Sequence, residues 1–180
     1  MTMRLNSHEI VVVDVPLPRR WMGFTEMRHV VLRLRTDDGL EGLGWAFAFD
    51  QRLVPALVAA VDAVVAELHG SDVIQERRIR GRVARMLDYW GNGFTRYVEA
   101  MIDIALHDLR ARAAGVSVAA LLGADGVETV PVYASQHLWR DWDLADLERG
   151  AGVLVDEGWR AMKFRIGANE AAVDEAERAR

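Results

Sequence analysis

The sequence contains no cysteine among its 180 residues, and this absence removes several classes of site at once. Disulfide scaffolds, thiolate metal centres and cysteine nucleophiles are all excluded. No apolar run is long enough to cross a bilayer, so no membrane partner is expected. The N-terminus lacks the uninterrupted apolar segment of a signal peptide, because Ser7, His8 and Glu9 interrupt it. We therefore expect a cytoplasmic protein.

Excess positive charge is also missing, since the formal net charge is −5. A nucleic-acid partner recognised through general basicity is therefore not expected. One predicted helix does carry a cluster of arginines without interleaved aromatic residues, and we interpret it as a solvated or salt-bridged face. These arginines are Arg77, Arg78, Arg80, Arg82 and Arg85.

The first part of the sequence predicts three antiparallel strands followed by helices. Pro16 and Pro18 are expected to end the first strand, and residues 17–26 to form a loop. An Asp-Gly pair at Gly39 predicts the hairpin between the second and third strands. The predicted strands are residues 10–13, 29–35 and 40–49, and the predicted helices are residues 54–68, 74–89 and 94–115, the last capped by Gly115.

The pattern changes near residue 125 to strand, helix, strand, helix, which predicts a parallel sheet with right-handed crossovers. Two such units leave strand edges and sheet faces uncovered, so we expect the beginning of a larger structure. We divide the chain into domains 1–125 and 126–180. The predicted elements of the second domain are strands 130–134 and 159–166, a helix that begins at Leu144 and ends at Gly158, and a helix over residues 168–180.

Lys163 and Arg165 are the most distinctive chemical signal. Side chains alternate along a strand, so these two cations point to one side while Met162 and Phe164 point to the other. The pattern alone favours a solvated face over a barrel interior, because lysine and arginine are mostly exposed. Inside a barrel, a lysine beside a fixed cation loses its proton more readily and can act as a base. An arginine there stays protonated and is suited to gripping a carboxylate.

Other candidates are weaker. The aromatic and apolar side chains of Trp21, Met22 and Phe24 either cap a core or close over a ligand. His137 follows a predicted strand, where it either contacts a ligand or is simply solvated. A second set, Glu99, Asp103 and His107, shares one helix face. Pairing between helical side chains explains that set better than metal binding does.

Several short segments, taken together, resemble the enolase superfamily in its mandelate racemase and muconate lactonizing enzyme branch. The resemblance implies an α+β capping domain, with a three-stranded antiparallel meander plus helices, followed by the first two βα units of an incomplete (β/α) TIM-type barrel. Loops 17–26 and 46–51 would then close over the site. The segments are residues 105–109 (ALHDL), 113–118 (AAGVSV), 121–123 (LLG), 130–135 (VPVYAS) and 158–167 (GWRAMKFRIG).

By this resemblance, Lys163 and Arg165 fall on the paired-lysine motif and are the catalytic candidates. The substrate-binding candidates are Trp21, Met22, Phe24, Phe47, Ser135 and His137. Enzymes of this kind bind Mg²⁺ through acidic residues on later strands and remove a proton α to a carboxylate. The resemblance thus implies Mg²⁺ as cofactor with no metal ligand in this chain, a small-molecule carboxylate as substrate, and a homo-oligomer.

Arg165 stands where the family has a second lysine, which disfavours two-base racemisation. The expected activity is that of an acid-sugar dehydratase or related racemase. One alternative is a muconate-type cycloisomerase, and another is a truncated, non-catalytic chain that acts as an oligomerising or binding module. The chain alone is expected to be inactive, because residues 130–180 are far fewer than the roughly 250 of a typical barrel.

Overall fold

The computed structural model describes residues 2–21, 23–47, 51–124, 126, 129–139 and 142–165. The chain divides into two compact units, Met1–Asp125 and Gly126–Arg180. The strands are β1 (Leu5–Trp21), β2 (Phe24–Thr36) and β3 (Glu41–Phe47), and the helices are α1 (Val54–Ala66), α2 (Glu76–Leu87), α3 (Phe94–Ala114), α4 (Val118–Leu121) and α5 (Leu144–Asp156).

The three strands form one sheet in the order β1-β2-β3, and both neighbouring pairs are antiparallel. The meander predicted from the sequence is therefore confirmed. Gly39 lies in the turn between β2 and β3 with a φ of 87°, a conformation that side chains disfavour. Its N–H donates to the carbonyl of Thr36 at 3.1 Å, which closes the turn as the Asp-Gly signal predicts.

The predicted loop at residues 17–26 is wrong, because β1 continues to Trp21 and β2 begins at Phe24. β1 is an edge strand, and an edge strand tolerates proline when the missing N–H would face away from its neighbour. Pro16 and Pro18 consequently do not end the strand. They coincide with a register shift in the pairing of β1 with β2 between Pro16 and Trp21.

One face of the sheet packs against helices and forms the core of the first unit. β3 lies so close to α3 that a Cβ atom on Gly44 would be 1.9 Å from the carbonyl oxygen of Met101. A Cβ atom on Gly42 would be 2.4 Å from the carbonyl oxygen of Ala105. Both positions therefore require glycine. The buried apolar residues of β2 are Val30, Leu32 and Leu34.

The helices of the first unit occur where the periodicity predicts them, with small differences at their ends. α2 begins at Glu76 and ends at Leu87, and a 3₁₀ turn follows at Asp88–Trp90. α3 ends at Ala114 and is capped by Gly115, whose φ of 66° and N–H bond to the carbonyl of Arg112 confirm the predicted cap. Within the described part of the chain, no helix is long and apolar enough to span a membrane.

The second unit contains a parallel bridge between Ala134 and Met162, with α5 between them in sequence. The predicted strands 130–134 and 159–166 are reduced to this bridge. No further strand pairs with either segment among the residues described, and parallel strands are stable mainly when neighbours cover them. Asp143 caps α5 by accepting from the N–H of Asp146 at 2.7 Å. The predicted helix 168–180 lies outside the described residues.

Candidate active site

The two candidate catalytic side chains follow the parallel bridge of the second unit. The N–H of Lys163 donates to the carbonyl of Ala134 at 2.8 Å, which fixes the orientation of this segment. Met162 and Phe164 pack against the core of the unit. Because side chains alternate along an extended segment, Lys163 and Arg165 project to the opposite side.

Arg165 is held in place by three contacts. Its Nη1 donates to the carbonyl oxygen of Ser135 and its Nη2 to the hydroxyl oxygen of the same residue, both at 2.9 Å. Its guanidinium carbon lies 3.9 Å from the ring centroid of Trp139, a cation–π geometry. These two hydrogen bonds use only part of the five N–H donors of a guanidinium, so the group is oriented and still able to bind an anion.

Lys163 differs from Arg165 in its surroundings. Its side chain is exposed, and it forms no side-chain hydrogen bond or ion pair with the residues that the structure describes. Arg165 is half-buried and anchored, which the alternating pattern alone does not predict.

His137 and Ser135 lie in the loop between the bridge and α5. The structure brings Ser135 to Arg165, whereas the ring of His137 lies edge-on to Trp142 with centroids 6.2 Å apart. His137 has a φ of 64°, an unusual conformation for a residue with a side chain. A Cβ atom on Gly150 of α5 would be 2.2 Å from the His137 carbonyl oxygen, so tight packing on that helix holds the strained backbone.

The remaining candidates lie in the first unit. Phe24 begins β2 and Phe47 ends β3, where its ring centroid is 5.9 Å from that of His29. Trp21 ends β1 with its backbone opposite Phe24. The side chain of Trp21 and all of Met22 lie outside the described residues. Contact of these residues with a ligand stays a prediction.

The side chains of Glu99, Asp103 and His107 are paired, as the sequence predicts. Arg80 donates through Nε to Asp103 at 2.9 Å, and this hydrogen bond, together with the charge of the carboxylate, raises the pKa of Arg80. Glu99 pairs with Arg96. No group of three or more metal-ligating side chains occurs among the described residues. The described residues therefore do not fit a metal ion.

The contact of Arg165 with Trp139 was missed by the sequence analysis. An aromatic side chain four positions after Ser135, in a loop that follows a predicted strand, is the signal that could have indicated it. Trp139 can contact Arg165 only if the loop that carries Trp139 folds back over the end of the segment that carries Arg165. The N–H of Arg165 donates to the carbonyl of Leu138 at 3.3 Å, which shows this return.

Comparison with known proteins places these observations in a family. Residues 7–123 match the family described as mandelate racemase / muconate lactonizing enzyme, N-terminal domain. A D-galactarolactone cycloisomerase of Agrobacterium fabrum is 30% identical over 161 residues, which cover 86% of this chain and 41% of the relative. A D-mannonate dehydratase of Rhizorhabdus wittichii is 30% identical over 143 residues, covering 79% of this chain and 34% of the relative.

Solved structures show the same fold. The L-talarate/galactarate dehydratase of Salmonella typhimurium LT2, solved with Mg and L-lyxarohydroxamate, has a TM-score of 0.85 at 21% identity. The alignment covers 99% of this chain and 48% of the dehydratase. The chain thus spans less than half the length of these curated relatives and of this solved structure.

Proposed function

The chain belongs to the mandelate racemase / muconate lactonizing enzyme family, and from this membership we propose that it is part of an enzyme that removes the proton α to a carboxylate. The preferred reaction is the dehydration of an acid sugar. The relatives include acid-sugar dehydratases, which supports this class of activity. The substrate in this proposal is a small-molecule carboxylate.

The observation that carries the proposal is the contrast between an anchored arginine and an exposed lysine on the same side of one segment. Arg165, fixed by Ser135 and Trp139, stays protonated and offers free N–H donors to a carboxylate or hydroxyl group. Lys163, two residues earlier, is exposed and available for proton transfer or for orienting the anion. An arginine at the second position is a poor base, which favours dehydration over two-base racemisation.

Magnesium belongs to the proposal only for the whole enzyme. The described residues do not supply a set of ligands, so the proposed ligands lie outside them. Likewise, Phe24, Phe47 and His137 remain proposed substrate contacts, together with Trp21 and Met22. Assembly into a homo-oligomer is part of the same proposal.

A cycloisomerase is the second candidate, because the D-galactarolactone cycloisomerase is among the relatives at 30% identity. In this reaction the proton α to a carboxylate is again removed. It differs from dehydration because a ring opens or closes and no water is lost. Product analysis separates the two, since dehydration yields a keto-deoxy acid and cycloisomerisation yields an isomer of the substrate.

The test is Lys163→Ala in the full-length enzyme, assayed on a panel of acid sugars and lactones in ²H₂O. We expect turnover to fall by about 10²–10⁴, the range of a lost proton-transfer group. The matched control is Arg160→Ala, which removes an exposed cation from the same segment and should leave turnover unchanged. Unchanged turnover in Lys163→Ala would contradict the proposal. If the unmodified enzyme shows neither turnover nor α-proton exchange with any of these carboxylates, the result likewise contradicts the proposal and favours a non-catalytic binding module.

A further inference from the structure

A second concave surface lies in the first unit, on residues with no part in the proposed reaction. It is a depression of about 570 Å³ between the start of β1, the turn after α1 and the first turns of α2. We call it the arginine pocket, after its three cationic lining residues Arg4, Arg78 and Arg82. His69 and Asp72 also line it.

Neutral oxygen atoms fix the three guanidinium groups. Arg4 donates through Nη1 to the carbonyl of Gly70 at 2.9 Å, and Arg82 donates through Nη1 to the hydroxyl of Ser71 at 2.8 Å. Arg78 donates to the side-chain oxygen of Gln75 at 3.2 Å. Each contact orients a cation without neutralising it, and each leaves further N–H donors available.

The positive charge of the pocket is largely uncompensated. Within the described part of the chain, Arg4, Arg78 and Arg82 form no ion pair, whereas the neighbouring Arg80 and Arg110 pair with Asp103 and Glu76. This concentration of unpaired cations is unexpected in a chain with a net charge of −5. Coulombic attraction in a concave site is stronger than on a flat surface, because the surrounding protein excludes solvent.

Asp72 is the acidic residue that lines the pocket, and its oxygen atoms are already occupied. It accepts from the N–H of Ile74 at 3.2 Å, the N–H of Met3 at 3.4 Å and the amide of Gln75 at 3.4 Å. The N–H of Ile74 is the main cause that lowers the pKa of Asp72, and the charge of Arg4 adds to it. Asp72 therefore accepts mainly backbone hydrogen bonds, and the pocket keeps a net positive charge.

His69 contributes a fixed edge to the same pocket. Its Nε2 lies 3.0 Å from Nδ1 of His8, and Nε2 of His8 lies 3.0 Å from a carboxylate oxygen of Asp62. The His8 side chain is only 10% exposed, so this chain of hydrogen bonds is anchored in the first unit. The His69 ring is held at the wall of the pocket.

We propose that the arginine pocket binds a phosphoryl group, either inorganic phosphate or the terminal group of a phosphate ester. Three guanidinium groups line this depression with one carboxylate, which leaves about two positive charges, and a phosphate dianion balances them. Arginine forks bind phosphate oxygens with paired hydrogen bonds, which favours a tetrahedral oxyanion over a simple halide. All lining residues belong to Met1–Asp125, so this proposal stands independently of the proposed reaction.

The test is calorimetric titration of the full-length protein with inorganic phosphate and, separately, with glycerol phosphate. We expect saturable binding that Arg78→Gln weakens by about tenfold, the effect of losing one charge-assisted hydrogen bond. Arg77→Gln is the matched control, because it removes an exposed cation from the same helix outside the pocket lining and should change affinity less than twofold. Tighter binding of the ester identifies a phosphate ester as the ligand, and tighter binding of phosphate identifies the free anion.

A second pocket variant keeps the test valid if Arg78→Gln does not fold. Arg4→Gln removes a guanidinium whose hydrogen bond among the described residues is to the Gly70 carbonyl, and it should weaken binding like Arg78→Gln. Circular dichroism checks that the variants remain folded. The proposal is overturned if neither anion binds saturably, or if Arg77→Gln weakens binding as much as the two pocket variants do.

Discussion

Two charged side chains of this protein, Arg165 and Asp72, are oriented by neutral groups. Arg165 is held by the carbonyl and hydroxyl of Ser135, and Asp72 by the N–H groups of Met3 and Ile74. Such partners fix a charged side chain while leaving its charge available to a ligand. At the candidate active site this leaves Arg165 cationic and oriented next to an exposed Lys163.

Asp72 gives a pH prediction at the residue scale. Its hydrogen bonds lower its pKa below the ordinary 3.8, so the folded state favours the carboxylate more than the unfolded state does. The stabilisation is therefore present above about pH 4 and is lost as the pH falls through the folded pKa. We expect Asp72→Asn to be less stable than the unmodified protein at pH 7, with a difference that shrinks below pH 4.

Urea unfolding at several pH values measures this difference. Glu67→Gln is the control, because the Glu67 side chain forms no hydrogen bond with the described residues and its loss should give little pH-dependent change. Equal pH profiles for the two variants would show that Asp72 is not stabilised by its backbone partners.

For single residues, the sequence predicted the side to which a side chain points better than it predicted the residues that the side chain contacts. Alternation correctly separated Met162 and Phe164 from Lys163 and Arg165. It could not predict that Trp139 covers Arg165, because that contact depends on a loop folding back over the next segment. The positive φ of His137 was not predictable from the sequence either, since this residue packs closely on Gly150 of α5 and that contact is tertiary.

Among the contacts between elements, the packing of β3 on α3 restricts residue size most strongly. Gly42 and Gly44 let the strand approach the helix backbone at distances that no larger residue permits. Glycine inside a strand commonly marks such a close approach. The sequence displayed both glycines but gave no indication of which element would lie against them.

Gly44→Ala is therefore expected to destabilise the first unit by about 3 kcal/mol or more, because the new methyl group meets the main chain of Met101. Gly81→Ala in α2 is the matched control. Its methyl group would meet only the flexible end of Arg85 at 3.5 Å, and replacing a helical glycine should stabilise by about 0.5–1 kcal/mol. Thermal unfolding of both variants measures the contrast. A Gly44→Ala protein as stable as the unmodified chain would refute the close approach.

The positions of strands and helices were predicted correctly where the hydrophobic periodicity is strong. The predictions were wrong where the place of a strand in the sheet determines its length. α3 and its Gly115 cap followed the pattern closely. The extension of β1 through Pro16 and Pro18 was not predictable, because it depends on β1 being an edge strand. The two predicted strands of the second unit shrank to one bridge for the opposite reason, since no neighbouring strand supports them among the described residues.

At the scale of the whole chain, the two units differ in the size of their cores. The first unit has the N-terminal capping fold of the enolase superfamily, with a core built from the sheet, α1, α2 and α3. The buried core described in the second unit consists of Ala134, Leu138, Leu147 and Leu154. Local stability follows the amount of buried apolar contact.

Hydrogen–deuterium exchange should reflect this difference. We expect the amides of α5 to exchange faster than those in the middle of α3, where Met101, Ala105 and Leu109 are fully buried. Mass spectrometry of proteolytic fragments after timed exchange measures both helices in one sample. Protection of α5 equal to that of α3 would show that its stability comes from contacts other than the described core.

The prolines of β1 have one more consequence, for the behaviour of many copies at high concentration. An unpaired strand edge is a template on which another chain can add its own strand, and this is a route to aggregation. Pro16 and Pro18 leave this end of the edge strand β1 without two N–H donors. A sheet that grew from copy to copy would lose its hydrogen bonds there, so this end of the strand discourages fibre-like stacking.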